Sequence, residues 1–352
     1  MSWENNVRKV TPYVAGEQPK QDKVIKLNTN ESPYPPSPRV REAAGRMDCD
    51  SLRLYPDMNV EKLVNALAEY YHVRPSQVFV GVGSDDVLAL AFMTFFNGER
   101  PVLFPDITYS FYDVWAEVFR IPYRTCPLDE NFCIKKEDYF ATNGGIVIPN
   151  PNAPTGVLED TGMFEEIVRG NPDSVVIVDE AYVDFGGKSV LPLLEKYENL
   201  MVVQTFSKSR ALAGLRIGFA IASEKLINYL KNVKFSFNSY TMNTPAIEMA
   251  TEAVLDDAYF KEIVGKIVKT REWSKEQFKK LGFSFADSMS NFLFVTHESI
   301  PAKDIFLALK ENNIYVRHWD KPRIDNYLRI TIGTDEQMRT LVAFLGKYLI
   351  GK

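Results

Sequence analysis

The sequence contains few cysteines and histidines, which limits the chemistry that it can support. Among its 352 residues, only three are cysteine and three are histidine. Cys49, Cys126 and Cys133 have separations that match neither a disulfide framework nor a zinc cluster, so we expect reduced thiols. The histidines are scattered, which argues against a histidine-built metal site or a catalytic triad. We therefore expect no metal, and the chemistry has to come from other side chains.

Long apolar runs and clusters of basic residues are also missing. No apolar stretch reaches the roughly 20 residues of a membrane span, and the N-terminus lacks the apolar core of a signal peptide. The formal net charge is −5, and no basic run is present that would neutralise nucleic-acid phosphates. We therefore expect a cytoplasmic protein that binds neither membranes nor nucleic acids. Its length and its apolar fraction of 45% suit a soluble globular protein with two domains.

Short apolar runs alternate with helical patterns along most of the chain. The runs lack polar alternation, which is typical of parallel strands that are covered on both faces. Helical candidates at 85–93 and 163–168 lie between them. This alternation predicts an α/β layered domain with ligands at the carboxyl ends of the strands. The runs that predict strands of this sheet are 77–80, 101–104, 145–148, 174–178, 200–203 and 217–221.

The C-terminal part of the chain predicts a smaller second α/β domain. It contains one long amphipathic helical region over 246–281, followed by strands at 291–295 and 327–331. We therefore expect an arm, a large domain and a small domain. Their boundaries are 1–30, 31–245 and 246–352.

The segment 200–218 carries the most specific chemical signal. It ends an apolar strand in Ser207 and Lys208 and places Arg216 eight residues later. A lysine amine forms a Schiff base with an aldehyde, and the usual aldehyde in proteins is pyridoxal phosphate. The phosphate of that cofactor needs hydroxyls and an arginine, which Thr205, Ser207 and Arg216 could supply. Taken alone, the segment favours a plain loop with a solvated lysine, so its meaning depends on the other strand ends.

Polar and aromatic residues follow several other predicted strands. Asp179 ends a buried strand, where a carboxylate needs a cation such as a protonated pyridine nitrogen, although it could instead cap a helix. Tyr182 could donate to the phenolate oxygen of the same ring. Tyr109 could stack on a flat ring, although such an aromatic is more often part of the core. Ser84 and Asp85 follow a glycine-containing turn at a helix N-terminus, where free backbone amides suit a phosphate.

Together these elements resemble the fold type I aminotransferases over nearly the whole chain. The short length and the segments 10–13, 27–31, 53–57 and 212–219 look most like the histidinol-phosphate aminotransferases within that family. The resemblance implies a pyridoxal-phosphate-dependent transferase fold, with a large domain around a mostly parallel sheet and a smaller C-terminal α/β domain. The motifs that occur in the family's order are Tyr55-Pro56, Gly83–Asp85, Asn150–Gly156, Asp179–Tyr182, Ser207-Lys208, Gly214–Arg216 and Leu328–Thr331.

The resemblance also implies how the cofactor, pyridoxal 5'-phosphate, would be bound. Lys208 would bind its aldehyde and carry the proton, Asp179 and Tyr182 would hold the ring nitrogen and the phenolate oxygen, and Tyr109 would stack on the ring. Tyr55 would reach the phosphate from the second subunit of an obligate homodimer. The other phosphate ligands implied are Ser84, Asp85, Thr205, Ser207 and Arg216.

One position departs from the family pattern. The family's loop carries asparagine immediately before Pro-Thr-Gly, where it binds the phenolate oxygen, and this chain has Ala153 there. Either Asn152 takes over through a shifted backbone, or Tyr182 serves alone.

The substrate residues implied by the resemblance lie in two segments. Arg329 would bind the anionic end of the substrate, since a guanidinium suits both carboxylate and phosphate. Arg317 is the best candidate for a second cation, although a surface arginine is nearly as good an explanation. Tyr13, Asn30 and Glu31 could enclose an imidazole, unless they belong to a fixed arm that packs on the large domain.

These expectations lead to a hypothesis for the reaction. The resemblance implies amino transfer between L-histidinol phosphate and 2-oxoglutarate, giving imidazole acetol phosphate and L-glutamate, in histidine biosynthesis. Threonine-phosphate decarboxylase and aromatic amino acid aminotransferase activities are alternatives within the same fold. A cofactor-binding regulator or carrier without turnover is an alternative of another class, but it gives no reason to have both Lys208 and Arg329.

Overall fold

The computed structural model describes residues 2–13, 16–21 and 23–351, and these residues form thirteen strands and ten α-helices. The strands, β1 to β13, are Ile25–Lys26, Val78–Gly81, Val102–Pro105, Tyr123–Cys126, Gly145–Pro149, Val176–Asp179, Leu200–Thr205, Gly218–Ala222, Phe283–Phe285, Phe292–His297, Ile314–Tyr315, Arg317–His318 and Leu328–Thr331. The α-helices, α1 to α10, are Pro38–Gly45, Glu61–Tyr71, Ser84–Phe95, Tyr112–Phe119, Thr161–Gly170, Glu224–Phe237, Thr244–Leu255, Asp257–Lys280, Ala302–Glu311 and Asp335–Ile350. None of the helices in this described part is long and apolar enough to cross a membrane.

Seven strands form the main sheet, in the order β2-β8-β7-β6-β5-β3-β4. β8 runs antiparallel to β2 and β7, and the other neighbouring pairs are parallel. The prediction of an α/β fold with a mostly parallel sheet is therefore confirmed, and the six predicted strands are all present. The sequence pattern does not reveal β4, because Tyr123, Arg124 and Thr125 are exposed and form no apolar run.

Helices cover both faces of the main sheet, which explains why its strands are apolar throughout. In β5, Val147 packs in the core that includes α3, α4 and α6, whereas Ile146 and Ile148 pack in the core that includes α5. All three side chains are fully buried. Polar side chains are accordingly concentrated where the strands end, and the carboxyl edge of the sheet carries the functional groups described below.

A second, antiparallel sheet has the order β12-β13-β10-β9 and packs against α8, α9 and α10. The N-terminal segment joins this C-terminal part of the chain. β1 pairs in parallel with β11, and the backbone N–H of Thr331 donates to the carbonyl oxygen of Leu27 at 2.9 Å. Residues 25–27 therefore belong structurally with a region that lies about 300 residues later in the sequence.

The helical region predicted over 246–281 is present, but the structure divides it into two helices. α7 ends at Leu255 and α8 begins at Asp257, and Asp256 between them has non-helical dihedrals of φ −101° and ψ 59°. The side chain of Asp256 accepts a hydrogen bond from the backbone N–H of Tyr259, so it caps α8. Because the apolar pattern continues across this break, the periodicity of the sequence does not reveal it.

The close approach of β8 to the start of α3 leads to a stability prediction. A Cβ on Gly218 would lie 2.1 Å from the backbone nitrogen of Ser84. We expect Gly218→Ala to lower the free energy of unfolding by about 1–3 kcal/mol in urea denaturation, because the backbones have to separate. Gly265→Ala is the matched control, since Gly265 is exposed in α8 with no atom within 4 Å of the added Cβ. It should stabilise by about 0.5–1 kcal/mol, and a neutral Gly218→Ala would contradict the close approach.

Candidate active site

A cavity of about 220 Å³ lies at the carboxyl edge of the main sheet, beside the N-terminus of α3. Residues that follow β5, β6 and β7 line it because parallel strands end at the same edge. The lining residues are Thr29, Glu31, Ser84, Asp85, Tyr109, Pro149, Ala153, Asp179, Ala181, Tyr182, Thr205, Ser207, Lys208, Ala213 and Arg216. Most of the residues proposed from the sequence to bind a cofactor are therefore brought together.

Lys208 is half-buried and faces this cavity just beyond the end of β7. Its Nζ donates to the carbonyl oxygen of Thr29 at 3.4 Å and lies 5.7 Å from the ring centroid of Tyr182. Among the described residues, no carboxylate forms an ion pair with it. The amine is thus held at the cavity wall by one long hydrogen bond, and it is available to a ligand.

One end of the cavity is suited to an anion. Arg216 donates to Ser207 Oγ at 3.3 Å and to Asp85 Oδ2 at 2.9 Å, and Thr205 Oγ1 donates to Ser207 Oγ at 3.0 Å. Ser84 is the first residue of α3, and no side chain caps this helix. Its first backbone N–H groups therefore carry the positive end of the helix dipole without an internal acceptor.

Gly83 allows this arrangement of Arg216 and α3. Its φ of +86° lies in the region that favours glycine, and a Cβ there would lie 2.5 Å from Arg216 Nη2. Arg216 itself has a φ of +54°, which is uncommon for a residue with a side chain. Both backbones are thus held in unusual conformations that keep the guanidinium over the start of α3.

Asp179 also lines this cavity, and its buried carboxylate needs a cation. This buried side chain accepts hydrogen bonds from the Tyr112 hydroxyl at 2.8 Å and from the backbone N–H of Ala181 at 3.2 Å. Burial raises the pKa of the Asp179 carboxyl from 3.8 to about 6, and nearby Asp85 adds to the rise, while the two hydrogen bonds oppose it. No described lysine or arginine pairs with Asp179, so its charge is incompletely compensated.

Two tyrosines stand beside Lys208 and the cavity. The Tyr109 hydroxyl donates to Asp85 Oδ1 at 2.7 Å, and burial raises the pKa of this tyrosine well above its usual value. The Tyr182 hydroxyl accepts a hydrogen bond from Asn30 Nδ2 at 2.9 Å. Tyr182 is thus held by the N-terminal segment, a contact that the sequence did not suggest.

Asn152 does not line this cavity, although it was one of two candidates to replace the missing family asparagine. Its Nδ2 donates to the carbonyl oxygen of Ile107 at 3.0 Å and to Thr155 Oγ1 at 3.1 Å, while its Oδ1 accepts from Thr108 at 3.2 Å. The amide therefore holds the loop itself. Ala153 lines the cavity instead and presents only a methyl group.

A larger cavity of about 450 Å³ adjoins the first, and both are lined by Lys208. Tyr13, Asn30, Arg317 and Arg329 line the larger one, as the substrate hypothesis expects. Lys208 can therefore act on a molecule that occupies either space. The residues that line both cavities are Thr29, Tyr109, Ala153, Tyr182 and Lys208.

Arg329 provides a cation at the far side of the larger cavity. Its Nη2 donates to the carbonyl oxygen of Asn28 at 2.9 Å, and its buried Nε has no partner among the described residues. Burial lowers the pKa of its guanidinium, and nearby Arg317 acts in the same direction. Arg317 and Arg329 each lie 5.3 Å from the ring centroid of Trp319. Two guanidinium groups lie at one aromatic ring, and Arg329 has no carboxylate partner among the described residues, so together they form a receptor for an anion.

The sequence did not single out Trp319 or Tyr112. Trp319 follows Arg317 at a spacing of two residues, which places side chains on one face of a strand and could have indicated the pairing. No comparable signal marks Tyr112, because a buried tyrosine at the start of a helix has the pattern of ordinary core.

Of the three remaining proposed residues, Tyr13, Glu31 and Tyr55, Glu31 lies apart from the site expected for it. Tyr13 lines the larger cavity with its ring stacked on Phe111 at 4.3 Å between centroids. Glu31 instead lines the smaller cavity and is paired with Lys26. Tyr55 is 83% exposed, lies against Tyr240 and reaches neither cavity within its own chain. In the described part of the chain, no cluster of three or more histidine, cysteine or acidic side chains is placed to hold a metal ion.

Comparisons with known proteins identify the family of this chain. The family model for aminotransferase class I and II matches residues 22–345. The chain is 52% identical over 352 residues to a histidinol-phosphate aminotransferase of Lactococcus lactis subsp. cremoris (strain SK11), covering 100% of this chain and 99% of the relative.

Solved structures show the same fold at lower identity. The histidinol-phosphate aminotransferase from Clostridium acetobutylicum has a TM-score of 0.86 at 22% identity, covering 94% of this chain and 100% of that one. The enzyme of that name from Sinorhizobium meliloti, in complex with pyridoxal-5'-phosphate, has a TM-score of 0.83 at 21% identity, covering 94% and 92%. A family match over most of the chain and a full-length relative at 52% identity show that the chain belongs to the class I and II aminotransferases.

Proposed function

We propose that this chain transfers an amino group between L-histidinol phosphate and 2-oxoglutarate, giving imidazole acetol phosphate and L-glutamate, in histidine biosynthesis. The observation that carries the proposal is Arg329, which has no carboxylate partner in the described part of the chain and lines a cavity that Lys208 also lines. The name of the 52% identical relative supports this substrate and favours transamination over decarboxylation.

Pyridoxal 5'-phosphate fits the smaller cavity by charge. Asp179 requires a cation, and the cofactor's ring nitrogen becomes one when protonated. The uncapped start of α3, with Arg216 and Ser207 beside it, can bind an anion, and the phosphate is one. Lys208 lies in the same cavity, with an amine that can bind the aldehyde. When bound, the cofactor supplies an electron-accepting ring that stabilises the negative charge left on the substrate carbon after proton removal.

The chain's own residues then bind, orient and move protons. Lys208 Nζ would take the proton from the substrate carbon that bears the amine and deliver it to the cofactor carbon that carried the aldehyde. Asp179 would hold the proton of the ring nitrogen, Tyr182 would donate to the phenolate oxygen, and Tyr109 would stack on the ring. Thr205, Ser207, Arg216 and the first amides of α3, at Ser84 and Asp85, would hold the phosphate.

The larger cavity binds the two substrates in turn. Arg329 binds the phosphate of histidinol phosphate and, in the second half-reaction, a carboxylate of 2-oxoglutarate, since its fork of donors suits both. Arg317 adds a second positive charge at the Trp319 ring. Tyr13 encloses the imidazole. In this proposal residues 31–245 form the cofactor-binding domain, and residues 246–352 form the domain that supplies both arginines.

We also propose that the enzyme is a homodimer in the cytoplasm, where amino-acid biosynthesis takes place. Tyr55 supports the dimer, because it is exposed and lies outside the cavities of its own chain. Leu52 and Leu54 beside it are exposed as well, and an apolar surface of this kind favours a protein contact. In a dimer, Tyr55 would reach the phosphate of the other subunit.

The substrate assignment is tested by measuring glutamate formation from 2-oxoglutarate. The wild-type protein should form glutamate with L-histidinol phosphate, and Arg329→Ala should raise KM for both substrates about 10- to 100-fold, because a charged bidentate contact is lost. Arg339→Ala is the matched control, since Arg339 is exposed and pairs with Asp335. Carbon dioxide release from phosphothreonine, without glutamate formation, would replace the proposal with the decarboxylase.

The unpaired charge of Asp179 predicts a pH-dependent stability in the cofactor-free protein. Because the folded pKa of about 6 exceeds the ordinary 3.8, ionisation penalises the fold, and the penalty is complete above about pH 6. Asp179→Asn should therefore raise the free energy of unfolding at about pH 8 by about 1–3 kcal/mol and give no gain near pH 4. Urea denaturation at both pH values, with the exposed Asp173→Asn as control, measures this. A gain independent of pH would contradict the assigned penalty.

Subunit mixing tests the role of Tyr55. Tyr55→Ala should weaken cofactor binding, and Lys208→Ala should abolish turnover. A mixed dimer of the two variants contains one intact site, which combines Lys208 of one chain with Tyr55 of the other. About half of the dimers in an equimolar refolded mixture are mixed, so activity should return to about a quarter of the wild-type value. A chain with both substitutions, mixed with Tyr55→Ala, is the control that cannot complete a site. Absence of recovery in the first mixture would show that Tyr55 does not cross between subunits.

A further inference from the structure

Asn30 connects three parts of the molecule that are distant in sequence. Its Nδ2 donates to the Tyr182 hydroxyl at 2.9 Å, its Oδ1 accepts from the Thr331 hydroxyl at 3.1 Å, and its backbone N–H donates to the same hydroxyl at 3.0 Å. Its carbonyl oxygen accepts from Asn291 Nδ2 at 3.0 Å. Every hydrogen-bonding group of this residue is therefore committed, and only the Nδ2 side faces the active site.

The position of this amide is set before any ligand binds. Asn30 is 1% exposed and has a φ of +56°, a left-handed conformation that asparagine tolerates better than most residues. Thr331 lies at the end of β13, and its hydroxyl proton goes to Asn30 Oδ1, which orients the amide with its N–H groups toward Tyr182. The N-terminal segment thus carries a donor that the C-terminal sheet holds in place.

The loop that would supply such an amide lacks one. Ala153 lines both cavities, and the Asn152 amide is occupied by Ile107, Thr108 and Thr155. Among the described residues, Asn30 is the carboxamide that contacts a tyrosine of the smaller cavity. The amide donor at Tyr182 therefore comes from the N-terminal segment, whereas the family pattern places it at position 153.

We propose that Asn30 is a positioning residue that acts through Tyr182, in place of the amide that is absent at position 153. This inference rests on the proposed function, because it requires the cofactor in the smaller cavity. The N–H of Asn30 occupies a lone pair of the Tyr182 oxygen, so the phenolic proton remains free to be donated into the cavity. The sequence suggested that Asn30 encloses an imidazole. In this proposal it instead orients Tyr182, which donates to the cofactor's phenolate oxygen.

This arrangement makes the acidity of the lysine-bound cofactor depend on Asn30. In the lysine-bound cofactor, the negative charge on the phenolate oxygen stabilises the protonated nitrogen of Lys208. A hydrogen-bond donor to that oxygen withdraws part of this charge, so it lowers the pKa of the Lys208 nitrogen. A hydrogen bond to a charged group contributes about 1.5–3 kcal/mol, which corresponds to a shift of about one pKa unit or more. Loss of the Asn30 amide should therefore raise this pKa.

The experiment is a pH titration of the visible absorption of the cofactor-loaded protein without substrate. Asn30→Gly removes the amide while glycine accepts the positive φ, so the fold should be retained. We expect Asn30→Gly to raise the pKa by about one unit, and we expect the same rise for Tyr182→Phe, with no further rise in the double variant. Asn30→Gly combined with Ala153→Asn should return the pKa toward the wild-type value, because an amide is restored at the cavity wall.

Each outcome decides between roles. An unchanged pKa in Asn30→Gly, with only a lower melting temperature, would show a merely structural residue and overturn the proposal. A further rise in the double variant would show that Asn30 acts independently of Tyr182 and would also overturn it. Because no substrate is present, the titration does not depend on histidinol phosphate being the amino donor. A wild-type protein without a visible cofactor band would instead contradict the proposed function.

Discussion

The Asp179 carboxylate is the constraint on which the site depends. It ends a strand that is buried on both faces, and its burial raises the pKa to about 6. A charge in this position persists only if a cation approaches it, and the chain does not provide one among the described residues. In the same cavity, the uncapped start of α3 and Arg216, which pairs with Asp85, can bind an anion. A ligand with separated charges, bound by the Lys208 amine, satisfies both.

Those features of the fold and site that arise from local sequence could be predicted. Continuous apolar runs revealed six strands of the main sheet, and the residues that follow them revealed Asp179, Tyr182, Ser207 and Lys208. This works because a sheet covered on both faces leaves its polar residues at strand ends, and parallel strands bring those ends together. The motif around Lys208 therefore carried information about three-dimensional position as well as chemistry.

Features that depend on contacts between distant segments could not be predicted. Asn30 and Tyr182 are 152 residues apart, and no periodicity relates them. The commitment of Asn152 to the neighbouring loop depends on the path of the chain after Pro151. The break at Asp256 is hidden because the apolar pattern continues through it. In each case, packing between elements decides a question that local pattern leaves open.

The central claim is that Lys208 and Arg329 act on the same small molecule, histidinol phosphate. The most direct test is the absorption spectrum of the cofactor-loaded protein before and after adding L-histidinol phosphate, and then 2-oxoglutarate. The account predicts that the band of the lysine-bound cofactor disappears with the first compound and returns with the second. A band that does not respond to histidinol phosphate, yet disappears with another amine, would contradict the substrate assignment.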